Sequence, residues 1–127
     1  MIRSIAFICA LAFAAPLAAE DLVVREILQE KPLSGSVTQV VIVSKLTLKP
    51  GGRIPLHTHP GDEHAVIVVG GLATLPNGKE INFAPGTPMF FPEGSVHGGV
   101  TNSGETDLEV MTTHIVRADE PFQTPAE

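Results

Sequence analysis

The chain has 127 residues, a formal net charge of −6, one cysteine, six phenylalanines and neither tyrosine nor tryptophan. Net acidity argues against nucleic acid and anionic lipid as partners, and a single thiol excludes an internal disulfide framework. The length suits one domain with a modest core, and no internal repeat or second block of composition divides it.

The opening segment, MIRSIAFICALAFAAPLAAE, carries a basic residue at Arg3, an apolar stretch over residues 5–15 and small residues before Glu20. This is the pattern of a secretory signal peptide cleaved after Ala19. Its apolar stretch of about 11 residues falls short of the roughly 20 that a membrane-spanning helix needs. Removal of residues 1–19 takes away Arg3 and Cys9, so the mature chain is expected to hold no thiol, to carry 7 basic against 14 acidic residues for a net −7, and to keep no stable membrane anchor. A periplasmic or secreted location follows.

Beyond the leader, β-branched runs are cut about every eight to twelve residues by Gly, Pro and Asn, with no sustained helical stripe, which points to an all-β chain. In chain order, an N-terminal segment over 20–36 holds a strand or arm at 21–28 and a loop at 31–36. A long strand over 37–48 ends at the turn Lys49-Pro50-Gly51-Gly52. A strand through His57 and His59 follows, and Pro60, Gly61 and Asp62 turn the chain into an antiparallel strand opened by Glu63. Gly70-Gly71 turns it again into a hairpin, 72–75 with 80–83, around Pro76-Asn77-Gly78. Pro85-Gly86 leads into 89–91, a last strand covers 108–116, and residues 117–127 read as a loose polar tail.

Side chains two apart on a strand share a face, so His57 and His59 point together while Thr58 points away, and Glu63 can return a carboxylate to the same side. His97, just after the Pro92-Glu93-Gly94 turn, supplies a further imidazole from elsewhere in the fold. Three nitrogens and one oxygen form a set suited to one divalent transition-metal ion, with Fe, Mn, Ni, Cu, Co and Zn all compatible.

At these residues the chain resembles the cupin superfamily, and in particular the small single-domain cupins. Gly51, His57, His59, Glu63 and Gly70 fall at the fixed positions of that superfamily's first motif, and Gly86, Pro92, Gly94 and His97 at those of its second, with Asn102 one position late. The resemblance implies a double-stranded β-helix, or jelly-roll, barrel over residues 37–116, with His57, His59, Glu63 and His97 as metal ligands. It also implies a small-molecule substrate and a homodimer, for which the 21–28 strand is the element expected to add to a partner's sheet.

Parity extends the reading. If Glu63 faces inward, so do Ala65, Ile67 and Val69, while His64 faces out. Glu109 belongs outside because a bare buried carboxylate is costly, which turns Leu108, Val110, Thr112 and His114 inward. His114 is thus a candidate to hold substrate or carry a proton, beside Glu63 as ligand and proton acceptor. Phe83, Phe90 and Phe91 read as packing residues, with Met89 or Phe91 walling the pocket. Four protein ligands leave positions open on an octahedral ion, and the resemblance then implies a metal-dependent, dioxygenase-like oxidoreductase. The alternatives are a non-catalytic periplasmic binder of a metal or small ligand, and a non-oxidative isomerase, decarboxylase or lyase.

Overall fold

The computed structural model describes residues 21–127; the signal peptide expected over 1–19, with Cys9, lies outside the described residues. Every regular element described is a strand. β1 (Val23–Pro32), β2 (Gln39–Leu48), β3 (His57–Thr58), β4 (Gly61–Val69), β5 (Gly71–Thr74), β6 (Glu80–Phe83), β7 (Pro88–Phe91), β8 (Thr101–Asn102), β9 (Leu108–Arg117) and β10 (Thr124–Pro125) follow in order. The large sheet runs β1-β2-β9-β4-β7, a smaller one β6-β5-β8, and β3 pairs with β10. The all-β reading holds, and the folded-over sheets form the jelly-roll barrel.

The large sheet is antiparallel throughout, so its register stacks inward residues in rows across the strands. Leu48 faces Leu108 at one end, Leu46 faces Val110, and Val110 faces Ile67. The next row is Ser44, Thr112, Ala65 and Met89, and beyond it come Ile42, His114, Glu63 and Phe91. The interior is therefore graded. Leu48, Ala73 and Leu108 make an apolar plug, with Val23, Ile54, Phe83 and Val100 packed against it, and the polar residues gather at the opposite end.

Several elements depart from the expectation. β1 runs on through Lys31, where a loop was expected, and it pairs with the chain's own β2, leaving one side of β1 as the edge of the sheet. β3 does not form a hairpin with β4. It lies between β10 and an isolated bridge joining His57 to His97. Residues 117–127 are not loose: Arg117 N–H donates to Pro60 O, Ala118 N–H to Thr38 O and Ala126 N–H to Leu56 O, at 3.1, 2.9 and 3.0 Å. Val69 is 40% exposed rather than inward, because a bulge between Ile67 and Val69 reverses the alternation there.

Gly61 opens β4 under a close backbone crossing. A Cβ at this position would lie 1.9 Å from Ile115 O, a clash that only backbone movement relieves. Gly61→Ala is expected to cost about 2–3 kcal/mol or more through overpacking, a fall of roughly 10 °C or more in Tm. Thermal unfolding followed by circular dichroism checks this, and an unchanged Tm would contradict the crossing.

Candidate metal centre

The ligating atoms of His57, His59, Glu63 and His97 all lie within 4.8 Å of one another. Each arrives by a different local device. Alternation on the short β3 and the step beyond it turns both His57 and His59 inward, each 3% exposed. Glu63 is the third residue of β4, 6% exposed and paired in register with His114. His97 is brought alongside His57 by a reciprocal backbone pair, His57 N–H to His97 O at 2.9 Å and His97 N–H to His57 O at 3.0 Å. The turn before it is pinned by Gly94 N–H to His59 O and Glu93 N–H to Asp62 Oδ1.

Tautomers follow from the partners. His57 Nδ1 lies 2.7 Å from Pro55 O, His59 Nδ1 2.6 Å from Phe122 O, and His97 Nδ1 2.9 Å from Ser95 O. A carbonyl only accepts, so each Nδ1 carries a hydrogen, and each Nε2 is the atom left to face the common centre. His57 Nε2 and His59 Nε2 lie 3.1 Å apart, and with both rings in the Nδ1–H neutral form they are two acceptors facing each other. A cation between them converts that repulsion into ligation, so the residues fit a metal ion.

Electrostatics agree. Burial pushes the His57 imidazole below its ordinary pKa, and its neighbours His97 and His59 add to that, favouring the neutral ligand form. Burial alone would raise Glu63, yet the imidazoles of His114, His59 and His97 hold its carboxyl far below the usual carboxylate range. His97 is raised despite burial because Glu63 Oε2 accepts from its Nε2 at 2.8 Å. A cation held here by His57, His59, Glu63 and His97 would take the place of that proton.

His114 stands in the same cluster, fully buried, with Nε2 3.4 Å from Glu63 Oε2. That contact lacks hydrogen-bond geometry, and neither ring nitrogen has a hydrogen-bond partner. Burial lowers its pKa, while Glu63 pulls the other way. The inward parity of Ala65, Ile67, Leu108 and Thr112 also holds: all four are buried. His64 is exposed and stacks on exposed Phe90 at 4.8 Å. Phe91 stacks on His97 at 4.3 Å and 11°, fixing that ring. Asn102 is not in the cluster. It is 1% exposed, and its side chain donates to Leu48 O and Thr106 O and accepts from Gly104 N–H, so its role is to tie loops.

A cavity of about 90 Å³ opens from His57, Glu63 and His97 into the barrel. Its walls include Ala65, Ile67, Met89, Phe91 and Val110, so Met89 and Phe91 both line it. Two contributors escaped the sequence reading. Arg25, from β1, lines the cavity and donates Nη1–H bonds to Ser44 Oγ at 2.7 Å and Thr112 Oγ1 at 2.9 Å. Burial lowers its pKa, opposed by the charge of Glu63. Phe122, from the tail, packs its ring 4.8 Å from His59 and 4.7 Å from His114 while its carbonyl orients His59. In 23–28 both parities hold two aliphatics and one charge, so alternation alone did not select Arg25. No pattern in the tail marked Phe122.

Comparison with known proteins gives the family and the fold. The Cupin domain family (Cupin_2) matches residues 44–120. Germin-like protein 1 of Brassica napus is 33% identical over 79 residues, covering 58% of this chain and 38% of that protein. A germin-like protein of Ipomoea nil is 40% identical over 60 residues, 42% of this chain and 28% of that one. The chain thus spans less than half the length of these curated relatives. Among solved structures, the polyketide cyclase RemF of Streptomyces resistomycificus superposes with a TM-score of 0.62 at 18% identity, covering 84% of this chain and 72% of that one. KdgF of Halomonas sp. superposes at 0.57 and 22% identity, over 79% and 84%. At these identities the superpositions speak to the fold alone.

The tail's part in the site is testable. A chain ending at Glu120 loses the Phe122 carbonyl that orients His59, and metal affinity is expected to fall by about 10- to 100-fold, as for other partners that orient a ligating imidazole. Competition with a chelator of known affinity measures it, and equal affinity would show that the carbonyl does not orient the ligand.

Proposed function

Because the chain belongs to the Cupin domain family and gathers three imidazole nitrogens and a carboxylate around one point, we propose that it is an exported, metal-dependent enzyme with dioxygenase-like oxidoreductase activity on a small organic substrate. The observation that carries the metal is the approach of His57 Nε2 and His59 Nε2 to 3.1 Å while both Nδ1 atoms are taken up by backbone carbonyls. His57, His59, Glu63 and His97 hold one divalent transition ion. When bound, that ion supplies Lewis acidity and, for a redox-active ion, activation of dioxygen at its open positions.

The protein's own groups do the rest. Apolar walls at Ala65, Ile67 and Phe91 exclude water and hold a small organic body beside the centre. Glu63 is held anionic, as ligand and, when released, as proton acceptor. His114, buried and kept neutral, stands ready to take or return a proton at Nε2 next to Glu63. That proton-transfer pair also favours a second reading, a non-oxidative isomerase, decarboxylase or lyase, since it needs no dioxygen. A binder without turnover is the remaining alternative.

Export is supported by the leader pattern over residues 1–19. Among the described residues no helix is long and apolar enough to cross a membrane. A homodimer is supported by the edge position of β1 and by the outer face of the large sheet, where Val66, Val68 and Phe90 are 43, 46 and 54% exposed.

Elemental analysis of the protein purified from its native compartment is expected to find one equivalent of a transition metal. Oxygen consumption with small diketones, enediols and phenols is expected to depend on substrate. Stoichiometric metal without uptake transfers the assignment to the second reading or to a binder, and absence of metal removes the site. Light scattering at micromolar concentration is expected to give twice the chain mass; a monomer rules out the dimer.

A further inference from the structure

Arg25 is the charged residue in the cavity that no metal-ligand role absorbs. Its register opposite Leu46 aims it into the barrel, and both Nη1 hydrogens are committed, to Ser44 Oγ and Thr112 Oγ1. Those hydroxyls are 2.7 Å apart, are 0 and 2% exposed, and bring no charge. The Nε hydrogen and both Nη2 hydrogens have no hydrogen-bond partner among the described residues, and Arg25 forms no ion pair there. Phe122 lies under the guanidinium, 5.4 Å from Cζ to the ring centroid, a cation–π contact that braces the fork.

A half-buried guanidinium against apolar walls, with three donors open and no ion pair of its own, is a poor structural device, because a partly desolvated charge is costly to leave unpaired. The carboxylate whose charge acts on it is Glu63, which is already engaged with His97 and His59. The position is informative too. Thr112, which holds Arg25, is paired with Ala65, one inward step from the His114–Glu63 pair, a separation of roughly 7 Å along a strand. The cation and the ligand cluster thus face the same cavity from neighbouring rows.

We propose that Arg25 is the carboxylate-binding residue of this cavity, so that the site takes a small monocarboxylic acid. The carboxylate lies on the Nε and Nη2 hydrogens, the short apolar body against Ala65 and Met89, and an oxygen near His57, Glu63 and His97. Bidentate pairing with a planar carboxylate is what the open side of the fork matches. The assignment of substrate class rests on the metal-dependent reading of the site, whereas carboxylate binding at Arg25 does not.

The test compares 2-methylpropanoate with its neutral isostere 2-methylpropanamide on the purified full chain, with metal content measured on the same samples. Calorimetry is expected to show the acid binding at least about 10-fold more tightly than the amide, as a charge-assisted bidentate contact implies. Arg25→Gln is expected to abolish that preference while leaving metal content unchanged. In the unmodified chain, the Arg25 Nε–H resonance is expected to shift with the acid and not with the amide, which reads the contact without any variant. Equal binding of acid and amide, undiminished acid binding in Arg25→Gln, or an unmoved Arg25 resonance overturns the proposal. A preference that is lost in Arg25→Gln in protein devoid of metal supports carboxylate binding and removes the metal-dependent reading instead.

Discussion

Three Nδ1–H groups donating to three backbone carbonyls, of Pro55, Ser95 and Phe122, set the chemistry of this molecule. Each bond fixes a hydrogen on Nδ1 and the orientation of a ring, and together they gather three Nε2 atoms around the Glu63 carboxylate. The carbonyls come from two tight local steps and one distant segment, so the fold must be complete before the ligands converge. Gly98 is part of the same constraint. At φ +91° it lies where a Cβ would sit 2.4 Å from Pro55 O and 3.0 Å from His57 Nδ1, and only a glycine leaves that hydrogen bond undisturbed.

The register of the large sheet then decides what surrounds the centre. Apolar rows at Leu48–Leu108 and Leu46–Val110 supply burial, the Ser44–Thr112 row supplies hydroxyls that hold a cation, and the Ile42–His114–Glu63 row meets the ligands. Polar groups crowded at one end lower stability locally, as buried polar networks do when their members lack partners. The two orphaned nitrogens of His114 are the clearest instance. The Leu48–Ala73–Leu108 plug at the other end offsets that cost, so the functional half of the barrel is carried by the hydrophobic half.

Much of this was legible in the residues. His57, His59, Glu63 and His97 sit at spacings that strand geometry interprets directly, and the inward parity of His114 followed from excluding Glu109. What escaped was non-local. The bulge at Ile67/Val69 breaks an alternation that looks unbroken in sequence. The pairing of β10 with β3 joins segments whose partnership no local signal encodes, so 117–127 read as a tail. Arg25 was hidden by a strand with equal hydrophobicity on both faces, and only the pairing of β1 with β2 selects the face that turns inward.

The Phe122 carbonyl lies 63 residues beyond the imidazole that it orients. Contacts at such separation form late, because loop closure opposes them until the intervening chain has ordered. A partly folded chain therefore offers His57 and His59 as two loosely held imidazoles, not as a finished coordination sphere. An ion held at this site would in consequence be drawn from the compartment where folding ends, when the C-terminal segment docks.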